Sequence, residues 1–217
     1  MSPGDSMSPG DSRERRSRQM EQTRTTIVSA AAELFAEHGY AGTTIQSIAS
    51  RAGVVVQTIY NSIGSKSSVL SAVLDRAAAG PEAPKAVPEF MRERTEATGD
   101  AAGLIEVLAD WFAEAQPRTS EVHRIIRQAA AHDRDIAELE TQRAVQRFRN
   151  YLQAAQQMAM RPGSVTLPGE EIAATIWSIG HPEVYRFLTE EAGWDLDRYR
   201  HWVERFLVSA LTRPVEA

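Results

Sequence analysis

The chain has 217 residues and 24.0 kDa, with 42% hydrophobic and 24% charged residues and a formal net charge of −5. That composition supports a packed core of one large or two small domains. The absence of cysteine excludes disulfides, thiolate metal sites and a cysteine nucleophile. Apolar runs are short and interrupted by charge, so no membrane span is expected. The first residues carry no apolar signal segment, and a cytoplasmic location is the expectation.

Residues 1–12 repeat MSPGDS and have no apolar periodicity, which predicts disorder. Arg13, Arg15, Arg16 and Arg18 follow, so residues 1–18 read as a disordered basic arm. Two readings of it stand: an arm that follows DNA phosphates, and a solvated charge run. A helix is predicted from about Met20 to His38, with Ile27, Ala30, Ala31, Leu34 and Phe35 as its apolar stripe and Gly39 as its stop. From Arg13 to Arg76 there are eight basic and five acidic residues, so the acidic excess lies in the rest of the chain. A mildly basic N-terminal module on an acidic body fits nucleic-acid binding at one end.

Residues 43–66, TTIQSIASRAGVVVQTIYNSIGSK, have the grammar of two short helices and a tight turn. Thr43 or Thr44 can cap the first helix, and Ile45, Ile48 and Ala49 give it one apolar face. Gly53 suits a left-handed helix end. The second segment, from about Val55 to Ser62, turns Val55, Ile59 and Ile63 towards the core. Val56, Gln57, Thr58, Tyr60 and Asn61 are left facing outward. A short polar helix held by a perpendicular partner is the helix-turn-helix arrangement that enters a DNA major groove. Val56, Gln57, Thr58 and Asn61 are the candidates for base edges: glutamine can pair bidentately with adenine, and valine or a threonine methyl can touch the thymine methyl.

Thr44, Ile48-Ala49, Ala52-Gly53-Val54, Thr58-Ile59-Tyr60 and Ser65-Lys66 resemble, without gaps, the DNA-binding signature of the TetR family of bacterial transcriptional regulators. Ile27, Ala30, Ala31, Leu34-Phe35 and His38-Gly39-Tyr40 resemble that family's first helix and its ending. Val55, Ile63 and Ser67 depart from the usual pattern, which has a serine-like cap, an aromatic and an acidic residue at those places. The resemblance implies that Thr44, Tyr60 and Lys66 hold the DNA backbone. A helix N-terminus, a phenol and an ammonium each suit a phosphate oxygen.

A fourth helix is predicted from Ser65 to about Ala79, ended by Gly80-Pro81. The proline-rich stretch to Pro88 reads as a linker. The domains are therefore expected at 1–18 (arm), 19–80 (helix-turn-helix) and 81–217 (helical body). In the body, helices are expected at 101–116, 120–132, 134–160, 169–191 and 196–212, with a short one at 88–97. Pro117 should end the first of these, and Pro182 should break the fourth near Ile179. No segment alternates as a strand.

The resemblance implies a small-molecule pocket in this body. Candidate lining residues are Leu108, Trp111, Phe112, Ile126, Phe148, Tyr151, Leu152 and Trp177, with Met158 and Ile176 beside them. Most apolar residues at helical spacing are simply core. His123 and His181 are candidate polar contacts. Towards the C-terminus, Ile176, Val184, Phe187, Tyr199, Trp202, Phe206, Leu207 and Ala210 give more apolar surface than one core needs, which predicts a homodimer face. The stretch from His181 to Leu207 also resembles the C-terminal region of a subset of TetR-like proteins.

The sequence carries no GxGxxG, P-loop, GxSxG, HExxH or Glu-x-x-His motif. No catalytic residue, metal site or cofactor is expected; His132, Asp133, Asp135 and Glu138 read as a solvated helix start. The sequence thus predicts an all-α chain: an N-terminal three-helix helix-turn-helix DNA-binding domain, then a C-terminal helical ligand-binding and dimerisation domain. The expected partners are a palindromic double-stranded DNA operator, a small-molecule ligand of unknown identity and a second copy of the chain, with no membrane. The function implied is that of a ligand-responsive repressor. The competing reading is a helical small-molecule-binding or enzymatic protein whose helix-turn-helix is only structural.

Overall fold

The structure, a computed structural model, describes residues 9–83 and 85–213. The first part of the expected disordered repeat, residues 1–8, lies outside them. Every element among the described residues is helical, apart from one isolated bridge between Ser164 and Thr212. Among the described residues no helix is long and apolar enough to cross a membrane. The chain divides into two compact units, one ending at Val73 and one starting at Leu74. The division falls inside the fourth helix, not at Gly80-Pro81.

The first unit holds α1 (Pro9–Gly42), α2 (Ile45–Ala52), α3 (Val56–Ser62) and the first half of α4 (Lys66–Ala79). Helix α1 begins well before Met20, so Arg13 to Arg18 stand on exposed helical turns where a disordered arm was expected. Its regular part stops where the sequence places the stop: Gly39 leaves helical geometry at φ 66°, ψ 179°. A residue with a Cβ is rarely stable there. The expected stripe of Ile27, Ala30, Ala31, Leu34 and Phe35 is buried. The Thr43 hydroxyl, also fully buried, lies 3.0 Å from the Leu34 carbonyl and 2.8 Å from that of Gly39.

The second unit continues with α5 (Val87–Glu96), α6 (Ala101–Ala130), α7 (Arg134–Ala159), α8 (Gly169–Ile179), α9 (Pro182–Arg186) and α10 (Leu196–Leu211). A π-type turn, Phe187–Glu191, follows α9. Helices α6, α7, α8 and α10 pack around one core that includes Leu104, Ile105, Phe112, Met158, Ile172 and Tyr199.

Helix α6 corrects one expectation. Pro117 does not end it: a single helix runs to Ala130 through the proline. Proline removes one ladder hydrogen bond and crowds the preceding turn. Around it, Ala113, Ala115, Gln116 and Thr119 are buried, and the Thr119 hydroxyl donates to the Ala115 carbonyl at 2.9 Å. Arg118 donates to the carbonyls of Ala77 and Ala78 at 2.9 and 3.3 Å. Packing on both sides of the proline outweighs the local preference to stop.

The break near Ile179 appears as expected, because Pro182 starts a new helix in place of continuing α8. Gly180 sits between the two helices against Phe112. A Cβ there would come within 2.2 Å of the Phe112 ring. Its carbonyl accepts a 2.7 Å hydrogen bond from the buried Gln116 amide.

Gly180→Ala should therefore destabilise the body by about 1–3 kcal/mol through overpacking. Its backbone angles suit alanine, so the cost is purely steric. Calorimetric melting should show the loss, and adding Phe112→Leu should recover part of it; a neutral Gly180→Ala would mean this contact is loose.

Candidate nucleic-acid interface and a buried cavity

Helix α2 starts on Thr44, whose hydroxyl accepts the Ser47 N–H at 3.0 Å while the Ser47 hydroxyl accepts the Thr44 N–H at 3.0 Å. This reciprocal cap satisfies donors that a helix start would otherwise leave unpaired. The helix ends on Gly53 in the left-handed region, at φ 67°, ψ 31°, and the Val54 N–H returns to the Ala49 carbonyl at 3.0 Å. That wrapped end aims the chain into α3 with Ile59 fully buried.

Burying Ile59 turns the opposite side of α3 to solvent. Thr44, Gln57, Tyr60 and Asn61 are exposed, and Val56 and Thr58 are half-buried. The Tyr60 side chain keeps 51% of its surface open, so its phenol lies on the outer face of the module. The Gln57 amide donates to the Asn61 side-chain oxygen at 2.9 Å, one helical turn away. These two base-edge candidates thus occupy each other along one exposed ridge.

Two residues differ from expectation. Val55 is 69% exposed and does not reach the core. It is the N-cap of α3, with extended backbone at φ −83°, ψ 151°, so it precedes the helical stripe. It also offers no side-chain cap, in keeping with its departure from the resembled pattern. Lys66 is half-buried: its ammonium donates to the carbonyls of Tyr40 and Thr43 at 2.9 and 3.0 Å and lies 3.9 Å from the centre of the Tyr40 ring. Phe35 stacks on that ring at 5.9 Å. The lysine clasps the turn that presents Thr44. Arg24, which sequence reasoning passed over, ties α1 to the end of α3 by donating to the Ser62 carbonyl at 3.1 Å. Arg51 pairs with Glu33 and Glu37 and fastens α2 to α1.

The second unit contains a cavity between α5, α6 and α7 that is partly open to solvent. Of the expected lining residues, Leu108, Trp111 and Tyr151 are on its wall. Phe112, Ile126, Phe148, Leu152 and Trp177 are not, because they serve the surrounding core: Phe112 is closed against Gly180, and Phe148 meets Trp177 edge-on at 6.2 Å. Val87, Met91 and Thr95 of α5, and Arg147 and Gln157 of α7, complete the wall and were not anticipated. The α5 residues were hidden by a short, weakly patterned helix. Arg147 was hidden because an arginine on a polar helix reads as surface.

Neither histidine candidate lines the cavity. His181 caps α9, its Nδ1 accepting the Glu183 N–H at 3.2 Å, and packs against Trp177. The expected dimer residues divide. Ile176, Tyr199 and Leu207 are fully buried inside this chain's own core, so they cannot reach a partner copy. Phe187 and Phe206 are 56% and 45% exposed, while Val184, Trp202 and Ala210 are half-buried.

Residues 27–73 match the family model described as bacterial regulatory proteins, tetR family. Among solved structures, the chain is similar to NalD of Pseudomonas aeruginosa, described as the secondary repressor of the MexAB-OprM multidrug efflux pump. The TM-score is 0.65 at 20% identity, covering 89% of this chain and 98% of that one. It is similar to SmeT in complex with triclosan, with a TM-score of 0.67 at 22% identity over 89% of this chain and 93% of that one. It is also similar to the regulator FadR of Bacillus subtilis in complex with stearoyl-CoA, with a TM-score of 0.65 at 18% identity over 85% of this chain and 97% of that one. At these identities the likeness is one of fold. No curated protein matches the chain.

One electrostatic feature of the body is open to test. Burial first, then the positive charges of Arg147, His181, Arg127 and Arg143, push the His123 imidazole down to about 3. Unfolded, it titrates near the ordinary histidine value. Between those two values the unfolded chain binds the extra proton, so stability falls as pH drops from about 6.5 towards 3. The melting temperature should be lower at pH 5 than at pH 7, and His123→Gln should shrink that difference. An unchanged pH profile in the variant would show that other groups govern it.

Proposed function

We propose that the chain, whose residues 27–73 match the TetR family model, is a TetR-family regulator that binds a two-fold-symmetric DNA operator as a homodimer and represses transcription until a small molecule occupies its C-terminal body. The observation that carries this reading is the α2–α3 pair. Its buried isoleucines leave a ridge of Gln57, Tyr60 and Asn61 exposed on a seven-residue helix that starts just after a glycine turn. A helix so presented suits the major groove.

Within that reading the side chains take different parts. Thr44 and Tyr60 bind phosphate from either end of the module and set its register. Gln57 and Asn61 exchange their mutual hydrogen bond for base edges, with Val56 and Thr58 supplying apolar contact. Lys66 acts one step back, holding the turn that carries Thr44. One head offers few base contacts, so two heads on adjacent half-sites are needed for affinity. Phe187 and Phe206, with Val184, Trp202 and Ala210 beside them, are the apolar surface we assign to the dimer contact.

The cavity of the second unit supports the ligand part of the reading. SmeT and FadR, of similar fold, are described in complexes with small molecules. A ligand relieves repression only to the extent that it binds the non-DNA-binding arrangement more tightly.

Fluorescence anisotropy on the DNA flanking the chain's own gene tests the proposal. Wild-type affinity should fall steeply with salt, as released counterions require. Tyr60→Ala should weaken binding roughly tenfold and leave the salt slope unchanged, since a neutral donor releases no counterion. Lys66→Ala should also lower the melting temperature of the N-terminal unit, because its two carbonyl contacts are lost. Wild-type affinity surviving in Tyr60→Ala, or a chain that stays monomeric at micromolar concentration, would overturn the corresponding part.

A further inference from the structure

Most arginines of the second unit have an acidic or carbonyl partner. Arg143 meets Asp75 through two contacts of 2.7 Å. Arg127 meets Glu183 at 2.6 Å, and Arg200 is held by Asp110 and Glu204. Arg118 and Arg161 donate to backbone carbonyls, although the Arg161 Nε is also buried without an acceptor. Arg147 is different. It lines the cavity, its Nε is shut away from solvent with no acceptor, and among the described residues no carboxylate pairs with it. Burial pulls its guanidinium below the ordinary arginine range, opposed by Tyr151 and Glu140. Arg92, the other arginine on the wall, is already matched by Glu96 at 3.7 Å.

The Trp111 indole N–H on the same wall is also buried without an acceptor, as is that of Trp177 away from the cavity. Buried donors are almost always satisfied, and a buried charge left uncompensated is among the costliest features a fold can keep. The rest of the wall sets an apolar strip of Val87, Met91, Leu104 and Leu108 beside the polar Thr95, Asn150, Gln153 and Gln157. An apolar strip beside a guanidinium that no carboxylate pairs with has the polarity of an amphiphile reversed.

We propose that the ligand of this body is an apolar carboxylate, its anionic head on the Arg147 guanidinium and its hydrocarbon or aryl part against Met91, Leu104 and Leu108. The inference rests on the reading of this body as a ligand-binding domain and specifies the class of ligand. A carboxylate accepts hydrogen bonds from a guanidinium in a geometry that neither an alcohol nor an amide reproduces. It would bring the missing charge to the guanidinium. A cationic ligand would meet like charge in a low-dielectric chamber and be rejected.

The test compares three probes of equal chain length on the full chain by calorimetric titration: decanoate, decanamide and decyltrimethylammonium. Decanoate should bind at least about tenfold more tightly than decanamide, the range expected for hydrogen bonds to a charged group. The cation should not bind. Arg147→Gln should erase the preference while keeping the decanamide affinity, and Arg147→Lys should retain part of it. Ligand-free Arg147→Gln should melt no lower than wild type, because removing an unpaired buried charge relieves the fold. Decanoate should raise the melting temperature of wild type and not of Arg147→Gln. Equal affinity for decanoate and decanamide, binding of the cation, or a preference that survives Arg147→Gln overturns the carboxylate assignment and leaves a ligand-binding body in place. Binding of none of the three overturns the assignment as well. Failure of the regulatory reading shows separately, as a protein that prefers decanoate yet ignores its own flanking DNA.

Discussion

The burial of a few aliphatic side chains in the N-terminal unit decides what the rest of that unit can do. Ile48 and Ile59 have no accessible surface, and α1, α2 and α3 pack on one another around them. Each such side chain contributes about 1.5–3 kcal/mol when fully buried. A rotation of α3 that exposed Ile59 would forfeit that contribution. The polar ridge therefore faces out because the apolar side has nowhere else to go. The glycine turn and the Thr44–Ser47 cap make this packing possible without orphaned backbone groups.

The same unit shows how charge is divided between holding and touching. Arg24, Arg51 and Lys66 each hold elements of the module together, through carbonyls or carboxylates. The exposed pairs among them add little stability individually. Their value is geometric, because each fixes the angle between two short helices. In the second unit several arginines again act as fasteners, and Arg147 differs by standing half-buried on the cavity wall with no carboxylate paired to it among the described residues. A cation retained at a cost to stability, on the wall of a chamber, fits a partner that comes from outside.

Much of the fold was legible in the residues. The stripe of Ile27 to Phe35, the stop at Gly39, the turn at Gly53 and the break before Pro182 all depend on interactions within one or two turns. Rules of spacing reach that far. Pro117 failed as a stop signal because its helix is held by groups distant in sequence, and no local preference records those. The candidate ridge was legible for the same local reason, since a face opposite buried isoleucines must be exposed. Val55 escaped the pattern by standing one residue ahead of the helix.

Periodicity states that a side chain turns inward without stating which interior it joins. Ile176, Tyr199 and Leu207 therefore read as surplus apolar surface, whereas the folded chain encloses them, and Phe112 or Trp177 read as cavity wall although neighbours cover them. Helical spacing, caps and breakers thus established from the residues alone an all-α chain with an N-terminal helix-turn-helix. The clasp made by Lys66, the walls of the chamber and the isolation of Arg147 were decided only by tertiary structure. Each depends on whether donors and acceptors far apart in sequence come within about 3 Å, and local pattern carries no information about that distance.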